Sequence, residues 1–210
     1  MEGRFITFEG GEGTGKSTQA RMLADALERK SIAAVLTREP GGTPGAEAIR
    51  GLLLDNALDW NAEGEALLFA AARADHVANV IQPAVEAGKW VICDRFLDSS
   101  RAYQGGEGSI SDADIMTLHS IGSRGYLPDL TILVEVDDAE REARLSARDG
   151  DESDRIGGKS ATYHAKVAAR FHALAEAETQ RFVIVDGLGT PEDVHARVLQ
   201  AVQDRLGGIS

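Results

Sequence analysis

Cysteine is nearly absent from this 210-residue chain. Cys93 stands alone, which excludes an intrachain disulfide and any zinc site built from several cysteines. Long apolar runs are missing too: none approaches the ~18 residues that a membrane-crossing helix requires. The N-terminal apolar stretch Phe5-Ile6-Thr7-Phe8 ends too soon for the core of a secretory signal. A reduced, cytoplasmic setting is therefore expected. Basic charge is also scarce. Lys+Arg is 22 against an Asp+Glu of 34, for a formal net charge of −12. That balance argues against partners such as nucleic acid or an anionic membrane surface, because both attract an excess of basic charge. Lysine is confined to Lys16, Lys30, Lys89, Lys159 and Lys166, and the other basic residues are arginine. Any anionic ligand must be held by local charge working against the field of the whole protein.

What is present is globular. With 43% hydrophobic and 27% charged residues the chain can build a core and is not generally disordered. Its length suits one domain, expected over 1–210, with a polar, glycine-containing loop at 148–159. Short apolar runs at 5–8, 33–36, 90–93, 130–136 and 182–185 predict strands. Helical spacing predicts helices over 18–28, 46–54, 63–87, 112–121, 139–147, 161–177 and 191–206. Continuously apolar strands alternating with helices indicate a parallel α/β sheet whose strands are buried on both faces. Ligands of such sheets bind beyond the carboxyl ends of the strands. The informative motifs fall at those ends.

Gly10-Gly11-Glu12-Gly13-Thr14-Gly15-Lys16-Ser17, followed by Thr18, fits G-x-x-x-x-G-K-[ST] between a strand and a helix. The glycines let backbone N–H groups wrap a phosphate, and the helix N-terminus adds positive potential. Lys16 then reaches the terminal phosphates and the Ser17 hydroxyl suits Mg²⁺. The pattern implies a nucleoside triphosphate but names no acceptor. Asp94-Arg95-Phe96 ends the third apolar run, where a carboxylate faces the phosphate loop and an arginine can clamp a phosphate bidentately. A plain ion pair at a strand end is the alternative. Thr37-Arg38-Glu39-Pro40-Gly41-Gly42-Thr43 makes a shaped turn at the same rim, with Arg50 on the helix after it. Phe69 and Arg73 are helical neighbours that could stack on a base and bond its edge, though Phe69 as core and Arg73 as a solvated neighbour is the more usual arrangement. Ser99-Ser100-Arg101-Ala102-Tyr103-Gln104-Gly105-Gly106 reads as a polar loop. Arg148 and Arg155 flank an acidic stretch that is either a solvated loop or a lid closing over phosphates.

Together these segments resemble the thymidylate kinase family of nucleoside monophosphate kinases, nearly end to end. The turn Arg38-Glu39-Pro40-Gly41-Gly42-Thr43 and the segment Ala102-Tyr103-Gln104-Gly105 are the most specific pieces. The resemblance implies a three-layer P-loop kinase fold with a five-stranded parallel sheet, transfer of the ATP γ-phosphoryl group to dTMP with Mg²⁺, and a homodimer. It implies catalytic roles for Lys16, Asp94, Arg95, Arg148 and Arg155, and metal contacts at Ser17 and Asp94. Substrate contacts are implied at Glu9, Glu39, Pro40, Arg50, Phe69, Arg73, Arg95, Ser99, Ser100, Tyr103 and Gln104, with a cis Glu39–Pro40 bond. The chain departs from the usual pattern at Phe96 and at Gly157.

A phosphate monoester acceptor is mostly dianionic at pH 7, so it needs no general base. Cations that position two polyanions are expected to do the catalysis, and no histidine joins a motif. The alternative is a deoxynucleoside kinase, which would need a base such as Glu9 beside the sugar hydroxyl.

Overall fold

The computed structural model describes residues 2–105, 110–146 and 160–208. Five strands, β1 (Arg4–Glu9), β2 (Ala34–Arg38), β3 (Trp90–Asp94), β4 (Leu130–Glu135) and β5 (Phe182–Asp186), form one parallel sheet in the order β2-β3-β1-β4-β5. Helices α1 (Lys16–Arg29) and α9 (Pro191–Leu206) cover one face. There Ile6, Phe8, Ile92, Leu130, Ile132 and Val134 meet Leu23, Leu27, Val194 and Val198. The other face takes the alternate residues. Phe5, Val91 and Cys93 pack against α3 (Ala62–His76), α5 (Leu97–Tyr103) and α6 (Asp112–Ser123) through Ala66, Leu97 and Ile115. The result is the three-layer architecture expected from the resemblance, with β1 at its centre. The remaining helices are α2 (Pro44–Leu54), α4 (Gln82–Glu86), α7 (Asp138–Ser146) and α8 (Ala161–Ala177). No described helix is long and apolar enough to cross a membrane.

Three expectations need correction. The two outermost strands are not buried on both faces: Leu36 on β2 is 45% exposed and Ile184 on β5 is 43% exposed. Composition cannot report sheet order, and an edge strand has cover on fewer sides. The helix expected over 63–87 is interrupted at Val77–Ile81 by a π turn, in which the Gln82 N–H reaches back to the Val77 carbonyl. Pro83 has no N–H to give and its ring crowds the preceding turn, which favours the wider winding there. Finally, 97–103 is helix α5 rather than loop, because its charged residues find buried partners. Asp98, fully buried, accepts from Arg181 Nη1 at 2.6 Å, Arg181 Nη2 at 2.8 Å and Arg101 Nη1 at 3.2 Å. Arg101 in turn donates to both Asp112 oxygens, at 2.8 and 3.0 Å, and to Glu178 at 2.6 Å. This network ties α5 to α6 and to the start of β5.

Candidate active site

The phosphate loop leaves β1 at the sheet centre and enters α1 at Lys16. Gly10 has φ 136°, and a Cβ there would lie 2.5 Å from the Val134 carbonyl oxygen, so only glycine lets the loop start this close to β4. Lys16 is buried and folds its ammonium onto the Gly11 carbonyl, 3.4 Å from Thr14 Oγ1. Burial, with Arg95 nearby, lowers its pKa to about 8, against the pull of Glu12, Asp94 and Glu9. Ser17 Oγ donates to Asp94 Oδ2, whose other oxygen, Oδ1, is buried with no partner among the described residues. A hydroxyl beside a carboxylate with a spare oxygen is a hard-oxygen pair that suits Mg²⁺, an ion that keeps water and phosphate ligands. Among the described residues no group of three or more acidic, histidine or cysteine side chains could form a cage for a metal on its own.

Arg95 follows β3 with φ 67°, a left-handed conformation costly for a side chain of this size. That turn aims its guanidinium at the loop. Nη1 donates to the Gly10 carbonyl at 3.1 Å and to Ser99 Oγ at 3.0 Å. Nη2 donates to Glu12, and the group lies 5.1 Å from the Tyr103 ring centroid. The Arg95 charge holds the Glu12 carboxyl down at about 2. Glu9, at the end of β1, accepts from the Phe96 N–H at 2.8 Å and from Ser99 Oγ at 2.6 Å. Burial, reinforced by Asp98, raises Glu9 to about 7. Both its oxygens hold the start of α5.

Beside this phosphate end lies a cavity of about 230 Å³, lined by Glu12, Ser17, Asp94 and Arg95 at one side and by Phe69, Arg73, Ser100, Tyr103 and Gln104 at the other. Arg38, Glu39, Pro40, Arg50, Leu54, Phe96 and Ser99 complete the wall. Phe69 is half-buried at its edge. Arg73 is not the solvated neighbour that the sequence also allowed. It is buried, donates from Nε to Glu39 Oε2 at 2.8 Å, and from Nη2 to Ser100 Oγ at 2.8 Å and the Phe96 carbonyl at 3.1 Å. Glu39 precedes a cis bond to Pro40. Its other oxygen lies 3.0 Å from His76 Nδ1, while His76 Nε2 lies 2.7 Å from Thr37 Oγ1. The buried histidine thus braces Glu39 against Thr37. Gly42 passes so close that a Cβ would be 2.5 Å from His76 Nε2. Glu39 thus spends both oxygens on Arg73 and His76. Arg50 Nη1 donates to the Pro40 carbonyl at 2.8 Å. Tyr103 is held from behind by Tyr163, whose hydroxyl donates to the Tyr103 carbonyl at 3.1 Å.

A second cavity flanks the loop on its far side, among Gly13, Thr14, Gly15, Thr18, Gln19, Glu140, Arg144, Gly189 and Pro191. Arg144 donates to the Thr14 carbonyl at 3.3 Å and the Gly187 carbonyl at 2.9 Å, and pairs with Glu140 at 2.7 Å. Sequence reasoning missed Arg144 and Gln19 here, and His76 and Glu65 beside the first cavity. The signal for Arg144 was its place on α7, the helix that follows β4 at the ligand-binding rim. His76 showed none, because its partners lie far along the chain. Arg148, Arg155 and Gly157 lie outside the described residues.

The thymidylate kinase family model matches residues 8–198. The chain is 54% identical to a thymidylate kinase of Rhizorhabdus wittichii, covering 98% of this chain and 100% of that one. It is 47% identical to a thymidylate kinase of a Bradyrhizobium species, covering 97% and 91% respectively. A crystal structure of thymidylate kinase from Ehrlichia chaffeensis superposes with a TM-score of 0.77 at 33% identity, over 97% of this chain and all of that one.

Proposed function

The chain belongs to the thymidylate kinase family, and we propose on that premise how its residues divide the work of the reaction. The activity is ATP-dependent phosphorylation of dTMP to dTDP. In this reading the first cavity takes dTMP and the second takes the base end of ATP, with Lys16 and Arg95 between them. The observation that carries it is one cavity holding Asp94 and Arg95 beside the phosphate loop at one end and Phe69, Arg73 and Gln104 at the other.

The dTMP phosphate is already nucleophilic, so the barrier is the approach of two anions in line. Arg95 and Arg50 orient the acceptor phosphate. The loop N–H groups of Gly10, Gly11, Gly13, Thr14 and Gly15, with Lys16 and Thr18, hold the ATP phosphates, and Glu12 gives up Arg95 when the acceptor arrives. Ser17 and Asp94 would hold Mg²⁺, which would neutralise phosphate charge when bound. Phe69 stacks on thymine, Arg73 meets the base edge, and Ser100 and Gln104 complete its recognition. Tyr103 packs on the deoxyribose. Glu9, Ser99, Glu39 and Pro40 hold these groups in place from the ends of β1 and β2 and from α5. Arg148 and Arg155, within a lid at 148–159 of a single-domain chain, spread charge from the transferring group. The enzyme works in the cytoplasm as a homodimer. Leu67 on α3, 55% exposed, and Ile121 on α6, 76% exposed, are apolar side chains on two helices that pack together and suit a second copy.

The deoxynucleoside kinase reading asks Glu9 to act as a base, yet both its oxygens are engaged by Phe96 and Ser99. An ADP-release screen over nucleoside monophosphates and thymidine with Mg²⁺-ATP tests the assignment. dTMP is expected to be the best acceptor, and preference for thymidine would overturn it.

A further inference from the structure

We infer that Glu65 sets the pyrimidine preference of the first cavity by fixing which end of the Gln104 side-chain amide faces the base. The inference rests on assigning that cavity to dTMP. Glu65, Phe69 and Arg73 follow one another at four-residue spacing along α3, so they share a face of the helix. Phe69 and Arg73 reach the cavity wall, whereas Glu65 is buried and is not part of that wall. Its Oε1 accepts from Gln104 Nε2 at 2.7 Å. An ionised carboxylate only accepts, so the NH₂ end of the amide must face Glu65. Gln104 Oε1 is left as the other end, buried and without a partner among the described residues.

The cavity wall therefore joins an acceptor, Gln104 Oε1, to a donor, the Arg73 guanidinium. Arg73 is held rigidly because its Nε and Nη2 are already committed to Glu39, Ser100 and Phe96. A 4-oxo pyrimidine carries the complementary pair, a donating N3–H beside an accepting O4. Cytosine reverses both, with an accepting N3 beside a donating amine. A buried acceptor facing N3 and a donor facing C4 then reject cytosine, because each would leave like facing like. Turned over, the same amide would welcome cytosine N3. The carboxylate at Glu65 removes that choice. Glu65 touches no base in this account and is a positioning residue.

The test compares kcat/KM for dTMP, dUMP and dCMP in wild type, E65Q, Q104A and E65Q/Q104A. A glutamine at 65 can present either end of its own amide and so frees Gln104 to turn. E65Q is expected to lower the dTMP-to-dCMP ratio at least ~10-fold, chiefly by raising KM for dTMP, with dUMP following dTMP. In the Q104A background the same change is expected to leave the ratio where Q104A puts it. A tie that merely joins α3 to α5 would lower all three substrates together. That outcome, or an equal shift of the ratio in the Q104A background, overturns the inference. Should E65Q fail to fold, E65M removes the carboxylate with an unbranched chain of similar length and is read in the same way. A crystal structure of the wild-type complex with dTMP needs no variant. Gln104 Nε2 is expected to stay on Glu65 with Oε1 within hydrogen-bond distance of N3, and a detached or reversed amide overturns the proposal. Failure of the wild type to phosphorylate dTMP would instead overturn the cavity assignment itself.

Discussion

Two buried charge networks lie on either side of α5, and they are finished differently. Around Asp98 every charge is matched. Two arginines converge on one fully buried carboxylate, and each arginine is also held by further acids. Around the phosphate loop the matching stops short. Asp94, and Gln104 across the cavity, each keep a buried oxygen without a partner among the described residues, and Lys16 is desolvated enough to bring its pKa down to about 8. Arg95 sits in a strained backbone conformation and takes Glu12 as its anion. A saturated network has nothing left for a ligand. An unsaturated one costs stability unless something outside the chain completes it, so the two are expected to fail in opposite ways when broken.

The largest effect is expected in the saturated network. Asp98→Ala would leave Arg181 and Arg101 with uncompensated charge in the interior, a loss of about 3–5 kcal/mol. Urea unfolding measures it, and the fraction that remains folded should keep its preference for dTMP. A loss under about 1 kcal/mol would erase the contrast between the networks.

The next effect belongs to the unsaturated side. Lys16→Ala and Arg95→Ala are each expected to lower kcat/KM at least ~10²-fold, as losses of one key electrostatic group do. Lys16→Met should at the same time melt no lower than wild type without nucleotide, since it removes an ammonium that burial disfavours. Near-normal turnover in either alanine variant, or a sharp drop in melting temperature for Lys16→Met, would place Lys16 or Arg95 among the structural charges.

The contrast also explains what could be read from the sequence. The phosphate loop, Asp94-Arg95 and the sheet class were legible because each is local: a few adjacent residues at the end of an apolar run define it. The brace of Glu39, Arg73 and His76 was not, since its members come from a loop and a helix brought together only by the fold. Phe69 and Arg73 were legible as a pair, but the burial of Arg73 was not. Helix α5 was hidden for the same reason as the Asp98 network: seven residues with two charges and two serines read as loop until their partners are in place. The exposure of β2 and β5 depends on strand order, which strand composition does not encode.

The smallest expected effect tests the residue that links the two networks. Glu9 belongs to the site, yet Asp98 is the charge that adds to burial in raising it from 4.5 to about 7, against Ser99, Arg95 and the Phe96 N–H. Between those two values the folded protein holds a proton on Glu9 that the unfolded chain has released. The folded state then binds more protons, so stability falls as pH rises from about 4.5 to about 7. Glu9→Gln has no proton to lose there, and its amide can still accept from Phe96 while donating to Ser99. Urea midpoints at pH 5 and pH 8 should fall further for the wild type than for Glu9→Gln. Parallel slopes would mean that neither burial nor the Asp98 charge raises Glu9 in the folded state. A steeper wild-type slope means that Glu9 keeps a raised carboxyl in the folded state, held up first by burial and next by the buried Asp98 charge one layer away.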